Sequence, residues 1–413
     1  MADGGTQRAS FRDVFAVPQF RALWLAQLLS VAGDQLARVA LTLLVYQRTH
    51  SAVLAAVTFV MGMLPVFVGG ALLSGLGDRL PRRAVMIGCD LARAALVAIM
   101  VIPGVPLAVL VVLLFAVTSG NAPFTSARAA IYPDILAGDR YLVGTAVTLT
   151  TAQFAQVIGF AAGGAITGFF GVRACLLVDV ASFLASALLI RLGVAVAAAV
   201  SLDRTGEKDG TGRPRRAAPL ADIITGARLV FSRPALRTPM LLAWLAAFYN
   251  APEGVATAFA HQLHGGGAAA GLLLAAPAAG YTVGALIFGR LISPAARGRL
   301  MTPLATACSA LLVLVALRPG LPGVLVILAA SGGCACFQVA AQAAFVAAAP
   351  ASRRSQAFGL ATAGLTLGQG AAMIVAGAAA QHFTATSVVA VAGLVGTVAA
   401  VALSVRRRPR PAG

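Results

Sequence analysis

Read by polarity alone, the chain alternates long apolar runs with short, arginine-bearing breaks. Runs near the ~20 residues that cross a hydrocarbon layer as helix recur at 22–46, 51–74, 84–103, 106–129, 143–170 and 173–196. Six more follow at 238–260, 268–291, 300–317, 321–349, 356–380 and 385–405. This periodicity predicts an all-α polytopic membrane protein of twelve transmembrane helices. One long hydrophilic stretch, 197–237, separates six runs from six. Its first part is a linker rich in Gly, Asp, Arg and Pro. Its second part places Ile223, Ala227, Val230 and Phe231 at i, i+4, i+7 and i+8, the pattern of an amphipathic helix on the membrane surface. The domain plan is thus an N-terminal segment 1–21, a helical bundle 22–196, the linker 197–237, a second bundle 238–405 and a basic tail 406–413.

The two bundles read as copies of one design. "QFRALWLAQL" aligns with "ALRTPMLLAWL" at Arg21 and Arg237, an offset of 237 − 21 = 216. "VGGALLSGLGDRLPRRAVM" aligns with "VGALIFGRLISPAARGRLM" at Gly70 and Gly284, an offset of 214. "YPDILAGDRYLVGTA" aligns with "APASRRSQAFGLATA" at Pro133 and Pro350, an offset of 217. Three matches at nearly constant spacing point to an internal duplication of a six-helix unit.

Composition agrees with the pattern. Of 413 residues, 59% are apolar and 11% charged, with a mean hydropathy of +0.90. So few charges do not cover the surface of a soluble protein this long. The net charge of +18 would suggest nucleic acid in a soluble domain, but its distribution excludes that. Arginines gather at alternate breaks: Arg8, Arg12 and Arg21; Arg79, Arg82 and Arg83; Arg128 and Arg140; 191–237; Arg290, Arg297 and Arg299; Arg353 and Arg354; and 406–410. The other breaks keep only Arg48, Arg173 and Arg318, together with His50, His261, His264 and His382. By the positive-inside rule both termini are cytoplasmic, and the basic balance speaks of anionic lipid rather than DNA. The first apolar run is too long for a cleavable signal peptide. The five cysteines lie in or beside spans, where they read as small packing residues rather than metal ligands.

"SGLGDRLPRR", Ser74 to Arg83, resembles the signature loop of the major facilitator superfamily, usually written G-x-L-A-D-R-x-G-R-K. It agrees at Leu76, Asp78, Arg79, Arg82 and Arg83, while Ser74 and Pro81 replace the two glycines. The wider pattern, including "LLSVAGDQLARVAL", "IGCDLARA" and "LLVDVASFLASALL", is similar to the branch holding enterobactin-type siderophore exporters and macrolide-efflux permeases. "IGFAAGG", 158–164, resembles the antiporter signature G-P-x-x-G-G, with Phe160 in place of the proline. The resemblance implies two pseudo-symmetric bundles that rock about a shared seam. It also implies that Asp78, Arg79, Arg82 and Arg83, extended by Asp90 and Arg93, form a cytoplasmic gate. There Asp78 would meet the positive end of the helix beginning near Ser355–Ala357. The family's usual acidic partner at the inner end of span four is missing, with Arg128 in its place. Glycine rows in spans two, five, eight and eleven let helices approach and slide at the seam.

Thirteen acids are few enough to place one by one. Only Asp34, Asp90, Asp179 and Glu253 fall within spans, where a charge costs about 2.5–3.5 kcal/mol on insertion scales. Asp34 stands near mid-membrane, beside Gln35 and one turn from Arg38. It reads either as a cavity carboxylate that carries protons or binds a cation, or as half of a fixed i,i+4 pair with Arg38. Glu253 is the second bundle's only intramembrane acid, with Pro252 and Gly254 to bend its helix and Tyr249 and Asn250 as polar neighbours. No cation lies within a turn of it, the setting of a proton carrier. Asp179 reads as structural, near the outer end of span six. Phe59, Met61, Met63, Phe154, Phe160, Tyr249 and Phe337 are candidate apolar walls for an amphiphilic solute.

These readings converge on a secondary transporter of a bacterial cytoplasmic membrane, a monomer that exports a drug-like natural product or a siderophore in exchange for protons. Import of a small solute, and a non-transporting receptor on a transporter fold, are the alternatives. Its partners are the small-molecule substrate, protons and the lipid bilayer, with no nucleic acid, metal or cofactor. No P-loop is present to bind ATP, and no nucleophile sits beside a base as an enzyme would require.

Overall fold

The computed structural model describes residues 10–63, 81–195, 227, 228, 230–350 and 354–405, apart from the side chains of 294, 295 and 354–356. Asp78 and Arg79, most of the linker and the basic tail lie outside these residues. The first half contains α1 (Phe11–Phe15), α2 (Pro18–Thr49), α3 (Ala52–Met61), α4 (Arg82–Val101), α5 (Leu107–Ser119), α6 (Asn121–Ile135) and α7 (Asp139–Gly193). The second contains α8 (Pro234–Trp244), α9 (Ala246–Tyr249), α10 (Ala251–Gln262), α11 (Gly266–Leu291), α12 (Pro294–Val313), α13 (Gly320–Cys334), α14 (Phe337–Ala348), α15 (Arg354–Ala379) and α16 (Ala385–Val405). Among the described residues, nine helices are long and apolar enough to cross a membrane. The whole is consistent with twelve crossings, because α7 is 55 residues long and reverses at Gly171, while α8 to α10 are pieces of one crossing.

Local chemistry sets the helix ends. Ser10 and Asp13 form a reciprocal capping box on α1, and the two Ser10 donors hold the Asp13 carboxyl below the usual carboxylate range. Pro18, Pro234 and Pro294 open α2, α8 and α12, where the missing N–H has no helical partner to lose. His50 closes α2 in the left-handed conformation at φ 50°. Gly171 adopts φ 82°, ψ 170°, a region open essentially to glycine alone. It turns α7 into two antiparallel arms, 139–170 and 172–193.

Helix α1 docks back on the first bundle. Phe15 meets Phe20 and Trp24 edge to face at 5.6 and 5.1 Å, and the Trp24 indole donates to Thr151 on α7 at 2.7 Å. The expected amphipathic helix before α8 is described only in part. Val230 there is fully buried against Leu236, Met240 and Phe345, so the segment packs on the second bundle as well as facing outward through Phe231.

Glycine rows bring the halves together, but not all of them lie at the seam. Gly164 on α7 faces Gly271 on α11, and a Cβ on either would fall within 2.6 Å of the other's backbone. A Cβ on Gly377 of α15 would meet Ala52 and Ala56 of α3. Gly159 and Gly163 instead pack on α2, Gly280 and Gly284 on α13, and Gly364 on Trp244. These five serve packing within a half, which one-dimensional spacing cannot separate from packing between halves.

Between the halves, Gln381 donates to Ser51 at 2.9 Å and Tyr46 meets His261 at 5.9 Å. These contacts lie at the end that carries the histidines. Arg82, Arg83 and Arg191 mark the opposite end of the helices. Arg82 bonds to the Ala130 carbonyl at 2.6 Å and pairs with Asp134 at 2.7 Å. Asp134 on α6 therefore supplies the acidic partner expected to be missing, two turns beyond Arg128. Arg83 donates to the Arg191 carbonyl near the C-terminal end of α7, where a cation suits the helix dipole.

Candidate functional site

Asp34 is held by α4, not by its own helix. Both of its carboxylate oxygens accept from Arg93 Nη2, so the expected local pair with Arg38 does not form. The same guanidinium donates through Nη1 to Ser30 at 3.1 Å and lies 4.2 Å over the Phe183 ring. Arg93 Nη1 also lies 3.8 Å from Asp90. The pair is lopsided in exposure: Asp34 retains 21% of its surface and Arg93 only 1%. Asp90 and Arg93 are thus interior residues of the first bundle. Their expected place in the cytoplasmic gate is corrected: Arg93 lies 11 residues beyond Arg82 along α4, about 16 Å from the basic end at 1.5 Å per residue, on the face packed against α2 and α7.

Asp179, expected as a structural or interfacial residue near the outer end of its span, is placed inside the first bundle. It is fully buried, and a Cβ on Gly33 of α2 would run into its carboxyl and into Ser182. It therefore belongs to the interior behind Asp34 rather than to an outer interface.

Arg38, released from Asp34, donates to the Gly62 carbonyl at 2.7 Å and stands 5.5 Å from the Phe59 ring centre. It interacts electrostatically with both Asp34 and Glu253, with no contact ion pair to either among the described residues. Packing of the halves thus supplies the cation that Glu253 lacks along its own helix. Glu253 sits in the first turn of α10, just after the breaks at Leu245 and Asn250. Pro252 has no N–H to continue the preceding turn, so the bend falls where Glu253 enters the cavity.

Two cavities meet at Gln156 on α7. The larger, of about 410 Å³, is lined by Asp34, Gln35, Arg38, Met63, Thr118, Asn121, Thr362 and Thr366 among others. The smaller, of about 160 Å³, is lined by Tyr249, Asn250, Glu253, Tyr281, Gln153, Gln338 and Gln369. The Gln338 amide donates to the Tyr249 hydroxyl. The six residues expected at the central site thus divide between the two: Asp34, Gln35 and Arg38 on the larger, Tyr249, Asn250 and Glu253 on the smaller. Of the expected apolar wall, Met63 and Tyr249 line the cavities, but the phenylalanines do not. Phe59, Phe160 and Phe337 are buried in the core, and Phe154 is 46% exposed on the bundle's surface. Carboxamides replace them, and four glutamines were overlooked. Their signal was in the sequence: Gln153 and Gln156 stand at i and i+3 inside an apolar run, where unpartnered amides are costly.

Long apolar helices in two abutting groups, with ionisable and amide side chains facing cavities between them, have the architecture of a membrane transporter. The sequence matches the Major Facilitator Superfamily model over residues 23–257 and 251–413, and the chain belongs to that family. Its place there makes it a transporter and not an enzyme. Macrolide efflux protein A of Streptococcus pyogenes is 23% identical over 166 residues, covering 39% of this chain and 41% of that relative's length. Among solved structures, a bacterial homolog of the human lysosomal transporter Spinster, inward-facing and occupied, is similar at TM-score 0.70 and 14% identity. That alignment covers 95% of this chain and 98% of the other. An auto-inhibited POT family peptide transporter is similar at TM-score 0.71 and 13% identity, covering 96% and 99%. These likenesses carry the fold alone.

Proposed function

We propose that this protein expels a small, polar, amine-bearing organic molecule in exchange for protons, by alternating access between its two halves. The observation that carries the reading is the position of Asp34 and Arg38 on one cavity between the halves and of Glu253 on a second, with Gln156 lining both. An ionised Glu253 attracts a cargo cation. A proton arriving from the other side of the membrane cancels that attraction and releases the cargo, so proton and cargo compete, as exchange requires. Arg38 acts on the same carboxylate at a distance, without a contact ion pair. The amides of Gln153, Gln156, Asn250, Gln338 and Gln369 suit a cargo rich in hydroxyl and carbonyl groups. The partial likeness to a macrolide efflux protein makes macrolides the first compounds to try. Each proton crossing 100 mV supplies about 2.3 kcal/mol, enough to drive a useful gradient.

The test is macrolide movement in reconstituted vesicles with the proton gradient imposed in either direction. Counter-movement of macrolide and protons is expected, abolished by a protonophore. Co-movement in the same direction would instead establish a proton-coupled importer. No proton-linked movement of any compound from a panel of basic, neutral and acidic natural products would remove the reading.

A further inference from the structure

Behind the cavity, the first bundle encloses more carboxyl groups than its one guanidinium can balance. Asp34 from α2, Asp90 from α4 and Asp179 from the second arm of α7 surround Arg93. Asp90 and Asp179 are both fully buried. Were all three ionised, the cluster would carry −3 + 1 = −2. Burying even one uncompensated charge costs several kcal/mol, and such a group takes up a proton instead. The hydrogen bonds divide the three acids unequally. Asp34 takes both contacts from Arg93 Nη2. Asp90 receives the Ser186 hydroxyl at 2.5 Å, and Asp179 the Ser182 hydroxyl at 3.3 Å. One oxygen of Asp90 and one of Asp179 are buried without a hydrogen-bond partner among the described residues. The other titratable groups facing the cluster are Cys89 on α4, Cys175 on α7 and, from the cavity side, Arg38 on α2.

We propose that Asp90 and Asp179 form a second, internal proton site that exchanges a proton with Asp34 at the cavity, while Arg93 stays protonated and shifts toward whichever carboxyl is ionised. While Arg93 holds an ionised Asp34, both buried acids are protonated, since either one ionised would be an uncompensated buried charge. The relay step conserves charge and atoms: the O–H bond of the Asp90 carboxyl breaks, an O–H bond forms on Asp34, and the guanidinium follows the negative charge from Asp34 to Asp90. Arg93 Nη1, already 3.8 Å from Asp90 Oδ1, needs only a small rotation, and the Phe183 ring remains stacked beneath it. The stored proton follows from the cluster itself. Its use in transport rests on the exchange reading above.

Infrared spectroscopy of the purified full-length protein reads this directly, through the carbonyl stretch of protonated carboxyl groups at neutral pH. A Glu253→Gln background removes that acid's own signal, and no cargo is needed. The proposal expects a protonated-carboxyl band in that background, lost in the Asp90→Asn/Asp179→Asn double variant. It further expects Asp34→Asn to remove one carboxyl's worth of intensity, because Arg93 then takes an ionised Asp90 or Asp179. If the double variant does not fold, Asp90→Glu and Asp179→Glu should shift the band. A missing band, or one unmoved by these substitutions, overturns the proposal even if exchange is intact. A band that behaves as expected beside absent proton-driven transport would fail the exchange reading and leave the proton site standing.

Discussion

Arg93 carries more of the interior than any other side chain, since one guanidinium touches Asp34 and Ser30, stacks on Phe183 and approaches Asp90. Removing one partner of a buried pair typically costs about 3–5 kcal/mol, because the other charge is left unpaired. Arg93→Ala should therefore lower thermal stability by about that amount. Adding Asp34→Asn should recover part of it, with a coupling of about 0.5–3 kcal/mol in a double-mutant cycle of melting data. Glu253→Gln should leave expression and melting intact and abolish proton-driven exchange; retained exchange would take Glu253 out of the mechanism. Asp34 and Glu253 were legible as membrane acids because a charge in an apolar run is conspicuous. Their partners were not. Sequence displays Arg38 four residues from Asp34, whereas Arg93 is 59 residues away and meets it only through the packing of α4 on α2.

Helices were the most legible objects, and their interruptions the least. Apolar runs placed nearly every crossing within a few residues, yet the breaks at Leu245 and Asn250 carry no strong marker besides Pro252. Gly171 lies at the boundary expected between two spans, and its backbone explains why a glycine stands there. A side chain forced into that region costs roughly 1–3 kcal/mol. Gly171→Ala should lower the melting temperature accordingly, and an unchanged melt would mean that the turn relaxes without cost. Glycine spacing foresaw close approach but not the partner. Gly280 and Gly284 match the seam pattern as well as Gly271 does, yet they face α13 within their own half.

For the whole molecule, the duplication and the alternation of basic breaks agree with helices that run between a histidine-bearing and an arginine-bearing end. The gate escapes this agreement, since Asp78 and Arg79 lie outside the described residues. On the proposed alternating-access reading, transport parts the contacts between the halves at the histidine end. Ser51→Cys with Gln381→Cys, in a chain whose native cysteines are replaced, should be bridged by a short cleavable bis-thiol reagent. Bridging should stop cargo movement and cleavage restore it; movement through the bridged protein would show that this end need not open. The Gly164–Gly271 contact has a further consequence for the electrical integrity of the cell. Main chain presses on main chain there, so this part of the seam is built from atoms that neither titrate nor change rotamer. It should stay tight at any pH and with any cargo aboard. A bulkier residue would wedge it apart, and Gly164→Val should make proteoliposomes passively permeable to small ions, a current that dye-quenching assays record without any cargo.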